Sequence, residues 1–369
     1  MRIAVDARLV SYALGGISQY TIRLVHALAE LQSGDEILLL ESQKAGPGIS
    51  WPSPVKRVRL ITPPHNRFEQ LTLPMELLRV PVDVLHSPDF VPPFRRRCRS
   101  VLTIHDLACL RFPHLLTSES SRYYGQVGKA VESADQIIAV SLSTKQDLLD
   151  LLQVNPEKVT VVYSAAPREC GPMDEKERQE QRALLGLPER FILFVGTLEP
   201  RKNLPTLLEA LPMVWKDHRV PLVVIGGKGW LYEKVYSTLD RLGLGQEEVR
   251  FVGPVPSQQL AYYYGCATCL VMPSLYEGFG LPALEAMACG TPVVVSNVSS
   301  LPEIVADAGL LVDPEDVQGL AETLGLLLSD EGLRRRLSSL GLQRAREFSW
   351  ERTAEQTLAV YRKAIEAGR

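Results

Sequence analysis

LYEGFGLPALEAMACGTPVVVS, residues 275–296, sets two carboxylates, Glu277 and Glu285, eight positions apart in an otherwise apolar stretch. Just upstream, Cys269–Pro273 is a short apolar run of strand type, and Ser274–Gly280, with glycines at 278 and 280, has the composition of a loop. Pro282 suits the first position of a helix, where its missing N–H would have no intrahelical partner. A second apolar run, Pro292–Val295, closes the unit. Strand, loop, helix and strand in this order build a parallel sheet covered on both faces, whose buried strands read as near-continuous Val, Ile and Leu.

Working outward, the same alternation fills the chain, and the class is α/β. Strands are predicted at Arg2–Asp6, Glu36–Glu41, Val82–His86, Val101–His105, Gln136–Val140 and Val159–Tyr163, with helices such as Ser18–Leu31 and Ser143–Leu152 between them. A second set follows at Phe191–Gly196, Leu222–Gly226, Val249–Gly253, Cys269–Pro273, Pro292–Val295 and Gly309–Val312. A chain of 369 residues exceeds one ordinary core and suits two. Ser164–Pro188 is polar and punctuated by Pro and Gly, so the division is predicted as an N-terminal domain over 1–165, a linker over 166–188 and a C-terminal domain over 189–349. Trp350, Ala354, Leu358, Tyr361 and Ile365 mark one face of a terminal helix, 350–369, predicted to pack back on the N-terminal domain. Two doubly wound, Rossmann-like domains of this kind are expected to face a cleft at the carboxyl ends of their strands.

The totals exclude several classes. A net charge of −3 gives no global reason to expect nucleic acid as a partner. Six irregularly spaced cysteines do not make a secreted disulfide framework, and a reducing cytoplasm fits better. Cys266 and Cys269 lack the second pair that a zinc site needs and are read as packing. The N-terminus reads as a strand instead of a signal peptide, and no apolar run approaches the ~20 residues that span a bilayer. Neither G-x-G-x-x-G nor G-x-x-x-x-G-K-[ST] occurs, which disfavours a nicotinamide oxidoreductase and a P-loop enzyme.

Around residues 275–296 the chemistry is specific. Glycines let the backbone approach a ligand, and a helix start attracts phosphate. Two ionised carboxylates take hydroxyl donors as natural partners. Together these suggest a sugar nucleotide, with phosphate at the helix start and one Glu each for ribose and hexose hydroxyls. In the plainer reading, Glu285 charges the first turns of the helix and Glu277 is solvated. Arg201 and Lys202, in FVGTLEPRKNL at 191–205, could neutralise a diphosphate or form a solvated loop pair. His105, at a strand end beside Asp106, and the Gly15-Gly16 turn before a helix also carry structural alternatives, and Ser18 is a candidate cap for that helix. His86 is read as structural. Arg95, Arg96, Arg97 and Arg99 form either a solvated run or a contact for anionic lipid or a phosphate-bearing acceptor.

E-G-F-G-L-P-x-L-E followed by A-x-A-C-G-T-P-V-V resembles the E-x7-E region of retaining glycosyltransferases of group 1, a GT-B family that includes mannosyltransferases and sucrose synthases. The resemblance runs nearly the whole chain. It implies that Glu277 sits by the donor sugar, that Glu285 binds the nucleotide ribose, and that Gly278, Phe279, Gly280 and Leu281 line the donor site. It implies that Lys202 and an Arg hold the diphosphate. Many relatives carry that Arg directly after the strand's glycine, where this chain has Thr197, so the role goes to Arg201. It further implies that Gly15 and Gly16 close on donor phosphates or acceptor, that His105 hydrogen-bonds the donor sugar, and that the loop holding Val255 meets the base through its backbone.

The expected activity is retaining hexosyl transfer from a nucleoside diphosphate sugar, GDP-mannose favoured, to a glycan or lipid-linked acceptor bound by the first domain. No cofactor is expected beyond that co-substrate. Because no Asp-x-Asp occurs, no metal is expected either, and Arg201 and Lys202 take the place of a divalent clamp. The expected location is the cytoplasm, with peripheral contact at the inner membrane face allowed by the arginine run. A sugar-nucleotide epimerase on the same plan and a non-catalytic nucleotide-sugar binder are the rivals. A phosphorylase would need a longer chain and a pyridoxal-binding lysine region.

Overall fold

The computed structural model describes residues 1–12, 15–44, 49–89, 91–113 and 123–367. The chain divides into two compact units, Met1–Ser164 with Ser349–Arg369, and Ala165–Phe348. Each is built on one parallel sheet.

In the first unit the strands are β1 (Arg2–Asp6), β2 (Glu36–Ser42), β3 (Lys56–Leu60), β4 (Val84–Ser87), β5 (Arg99–Ile104), β6 (Gln136–Ala139) and β7 (Val159–Val161). Their order across the sheet is β3-β2-β1-β4-β5-β6-β7, all neighbours parallel. The apolar runs locate six of the seven. Strand β3, KRVRL, was not predicted, because it is an outer strand whose first two residues and fourth residue are exposed and shows no continuous apolar run. Helix Trp350–Glu366 belongs to this unit. Its Tyr361 is fully buried with the hydroxyl 2.7 Å from His86 Nδ1, and Thr353 Oγ1 donates to the Tyr163 carbonyl at 2.7 Å.

The second unit has β8 (Ile192–Val195), β9 (Leu222–Ile225), β10 (Val249–Gly253), β11 (Cys269–Met272), β12 (Val293–Ser296) and β13 (Leu310–Val312), ordered β10-β9-β8-β11-β12-β13. All neighbours are again parallel. Strands β8, β9, β11 and β12 are buried at every position, as sheets covered on both faces require. The strand order reverses between β8 and β11, and open α/β sheets bind ligands beyond the carboxyl ends of the strands at such a switch point.

Residues 166–188, read from the sequence as a linker, lie in the second unit instead. They carry helix Glu175–Leu184, which buries none of its own residues. Arg178 fastens it: Nε donates to the Gly265 carbonyl at 3.1 Å, and the Met173 side chain lies against Gly265. Polar composition hid a helix held by hydrogen bonds and one methionine.

Candidate functional site

The loops that leave β8 and β11 at the switch point are stitched to each other. Asn203 Nδ2 donates to the carbonyls of Pro273 (2.9 Å) and Pro314 (2.7 Å), and Leu275 N donates to the Arg201 carbonyl (2.9 Å). The loop after β8 also pairs with the loop after β9, Leu198 N donating to Gly227 O and Gly229 N to Leu198 O. Gly226 permits that approach. Its φ is +145°, and a Cβ there would stand 1.9 Å from the Gly196 carbonyl oxygen.

Into this frame Glu277 projects a carboxylate that is 5% exposed. Lys202 Nζ lies 2.7 Å from Oε1 and 3.0 Å from Oε2, Arg201 Nη1 lies 3.3 Å from Oε2, and Ser274 Oγ donates to Oε1 at 2.7 Å. The backbone is fixed as well: Glu277 N donates to Ser299 Oγ, and Ser300 Oγ donates to the Glu277 carbonyl. Burial alone would raise this carboxyl. Lys202 and then Arg201, with hydrogen bonds from Lys202 and Ser274, outweigh it and hold the group below the usual carboxylate range. Glu277 is therefore ionised at neutral pH, and the solvated alternative is overturned.

Arg201 bridges two acids. Its Nε and Nη2 reach Glu199 Oε1 at 3.1 and 2.8 Å, and Nη1 also donates to the Tyr276 carbonyl. Burial raises the Glu199 carboxyl despite Arg201 and Lys202, with the Glu277 charge adding to the rise. Two buried carboxyls and two partly buried cations thus form one group, in which the cations are already oriented by the acids.

Helix Leu281–Ala288 follows directly. Gly280 caps it at φ +95°, where a Cβ would lie 2.7 Å from Leu301 Cδ2, and Pro282 is the second helical residue, not the first. Glu285, 8% exposed, accepts from the Tyr264 hydroxyl at 2.9 Å, and burial, then Glu285, pushes that phenol well up. Gly278 lies in the connecting loop, Phe279 is buried with its ring edge-on to Phe348, and Leu281 is half-buried at the helix start. Val255 is half-buried in the loop after β10, beyond Gly253 at φ +86°.

The other predicted residues lie in the first unit. Gly15 caps helix Gly16–Glu30 in extended backbone, so Ser18 is buried inside the helix and is not its cap. A Cβ at Gly15 or Gly16 would meet no atom within 4 Å, so neither glycine is required by crowding. His105 follows β5. Its Nε2 lies 3.0 Å from the Pro88 carbonyl, which makes it the donor, and the ring stands edge-on to Tyr20. Burial lowers its pKa, against the pull of Asp106, Asp89 and the Pro88 hydrogen bond, so the ring is neutral. His86 is fully buried between Thr103 and Tyr361, with its pKa lowered to about 3 by burial and then by His105, which suits its structural reading.

Sequence reasoning missed Glu199, Asn203, Ser274, Ser299, Ser300 and Tyr264. Glu199 stands two residues from Arg201 and Ser274 three from Glu277, a proximity that could have flagged them. Ser299 and Ser300 reach Glu277 from beyond β12 and left no local signal.

Comparison with known proteins fits both halves of this arrangement. The family described as glycosyl transferases group 1 matches residues 175–344, and glycosyltransferase family 4 matches residues 14–168. O-antigen chain mannosyltransferase B of Escherichia coli is 32% identical, over 98% of this chain and 100% of that one. Among solved structures, sucrose-phosphate synthase from Thermosynechococcus elongatus superposes with a TM-score of 0.81 at 25% identity, covering all of both chains. HepE from Anabaena, solved with UDP-glucose, gives a TM-score of 0.75 at 19% identity over 97% of this chain and 99% of that one. The two Rossmann-like units are those of GT-B proteins.

Proposed function

The chain belongs to the group 1 glycosyltransferases and is a glycosyltransferase, and from that premise we propose that it is a retaining hexosyltransferase using a nucleoside diphosphate sugar, with GDP-mannose favoured. The observation that carries this reading is the ionised Glu277 beneath Lys202 and Arg201 at the β8–β11 switch point. The Escherichia coli relative, named a mannosyltransferase, supports the sugar. The acceptor is proposed to be a glycan or a lipid-linked glycan. Six cysteines without a disulfide support a cytoplasmic enzyme.

In this reading the donor's anomeric C–O bond to the β-phosphate breaks, the acceptor oxygen bonds to the same face of that carbon, and the departing phosphate oxygen takes the acceptor's proton. Charge grows on the leaving diphosphate. Lys202 and Arg201 meet it, already aligned by Glu277 and Glu199, which is how preorganised electrostatics lower a barrier. Hexose hydroxyls donate to the Glu277 carboxylate, and ribose hydroxyls to Glu285, which Tyr264 holds. Gly278 to Leu281 bring backbone N–H groups of the helix start toward phosphate. Val255, His105 and the Gly15-Gly16 turn keep the roles that the resemblance assigns. No divalent ion is expected, because Lys202 and Arg201 take the place of a divalent clamp at the diphosphate.

Incubation with GDP-mannose and acceptor, with the product linkage read by NMR, tests the reading. It expects an α-linked product, undiminished in excess EDTA. An inverted product, a C-epimerised donor without transfer, or activity that EDTA abolishes and magnesium restores would each overturn part of it. A melting screen with GDP-, UDP- and ADP-sugars identifies the base, since a ligand at 100 times its Kd stabilises by about 2.7 kcal/mol.

A further inference from the structure

The first unit turns an apolar stripe to solvent. Helix Glu69–Leu77 buries Leu73 among Ala4, Leu38, Leu40, Leu60 and Leu85. Along another side, Phe68, Leu71, Met75 and Leu78 recur at steps of three, four and three, the spacing of one helical face, and are 51, 64, 68 and 59% exposed. A surface helix ordinarily shows its charges to water. Here both acids are turned away: Glu69 is buried on Arg8, and Glu76 accepts from the N–H groups of Ile61 and Thr62. No carboxylate of the helix offsets its apolar stripe.

Beside the stripe lies a groove of about 310 Å³ between Pro74, Met75, Leu77 and Leu78 on one wall and Arg95–Arg97 on the other. Arg96 is locked inward on the carbonyls of Pro93 and Ser133. Arg95 and Arg97 are exposed at the rim, Arg79 is exposed one residue past Leu78, and the Arg67 guanidinium lies 4.7 Å above the Phe68 ring. Lys56, Arg57 and Arg99 are paired with Glu36, Glu41 and Asp135, so the exposed cations around the stripe are Arg67, Arg79, Arg95 and Arg97. Positive charge is concentrated where the apolar side chains emerge.

Apolar side chains ringed by guanidinium groups match the headgroup layer of an anionic bilayer, where acyl chains take the former and lipid phosphates the latter. A second copy fits poorly, because a two-fold contact would set each arginine rim against itself. We propose that helix Glu69–Leu77 with Arg95 and Arg97 is a peripheral docking surface for an anionic phospholipid membrane. No helix among the described residues is long and apolar enough to cross a bilayer, so this contact lies on the membrane, not through it. It also suits an enzyme whose acceptor is anchored in lipid, yet it does not depend on the transfer reaction.

Co-sedimentation of the full chain with vesicles tests this without any donor or product. Vesicles containing phosphatidylglycerol are expected to bind the protein and vesicles of phosphatidylcholine alone to leave it in solution, with binding weakened by added salt. Arg95→Ser with Arg97→Ser is expected to lower partitioning roughly 30-fold, since each arginine contributes about a factor of five at an anionic surface. Leu71→Gln with Met75→Gln should also weaken binding, and because these side chains are exposed both double variants should melt like the parent. Failure of the parent to bind phosphatidylglycerol vesicles would overturn the proposal. So would unchanged binding by both folded double variants, or self-association that Leu71→Gln with Met75→Gln abolishes while no vesicle binds.

Discussion

Replacing Lys202 and Glu277 singly and together separates architecture from chemistry in the candidate site. Lys202→Met leaves a carboxylate that is 5% exposed, with Arg201 at 3.3 Å and Ser274 at 2.7 Å as remaining partners. Breaking a buried ion pair from one side costs about 3–5 kcal/mol, and the surviving Arg201 contact places this loss near 3. Glu277→Gln strands the ammonium at a similar cost of about 3 kcal/mol, because Arg201 keeps Glu199 while Lys202 loses its carboxylate. The double variant strands neither charge. Its cost is therefore expected at about 3–4 kcal/mol in urea denaturation, less than the sum by about 2–3 kcal/mol, which is the coupling of a contacting pair. Catalysis should not follow the same cycle. Each single variant is expected to lose roughly 100-fold or more in kcat/KM, the scale of one lost charge-stabilising group, and the double variant should stay at least as low. Additive stability losses would refute the coupling. Activity that returns with stability in the double variant would show that the pair serves only to hold two loops together.

Three further perturbations probe the frame around it. Gly226→Ala puts a methyl group where only 1.9 Å separates it from the Gly196 carbonyl oxygen, at a φ that side chains avoid, so a loss of more than about 2 kcal/mol is expected along with donor-induced stabilisation in a melting assay. Tyr264→Phe removes a buried hydrogen bond to Glu285 and should cost about 1–3 kcal/mol and raise KM for the donor more than it lowers kcat; an unchanged KM would detach Glu285 from the donor. His86 is neutral when folded and protonates near pH 6.5 only in the unfolded chain, so the unfolded state gains protons as pH falls through 6.5. Stability should then fall by about 1.4 kcal/mol per pH unit, reaching a loss of about 5 kcal/mol near pH 3. His86→Asn should flatten that slope relative to the parent, and identical slopes would contradict the burial of the neutral ring.

What the sequence shows and what it hides divide along one physical line. Strands β8, β9, β11 and β12 were legible because burial on both faces writes itself as an unbroken apolar run, whereas β3, open at the sheet edge, writes nothing comparable. The linker assignment failed for the converse reason, since a helix held by Arg178 on a carbonyl needs no apolar stripe. Glu277, Glu285, Arg201 and Lys202 were found as residues of the right chemistry just beyond strands. That Lys202 would close on Glu277, 75 residues away, depends on β8 lying beside β11, and pairing order is a property of the whole sheet. Ser299 and Ser300 show the same dependence, reaching the Glu277 backbone because β12 lies on the far side of β11. Local pattern thus names the groups that can grip an anion or a hydroxyl. Strand order decides which of them meet, and here it brings both cations onto one carboxylate.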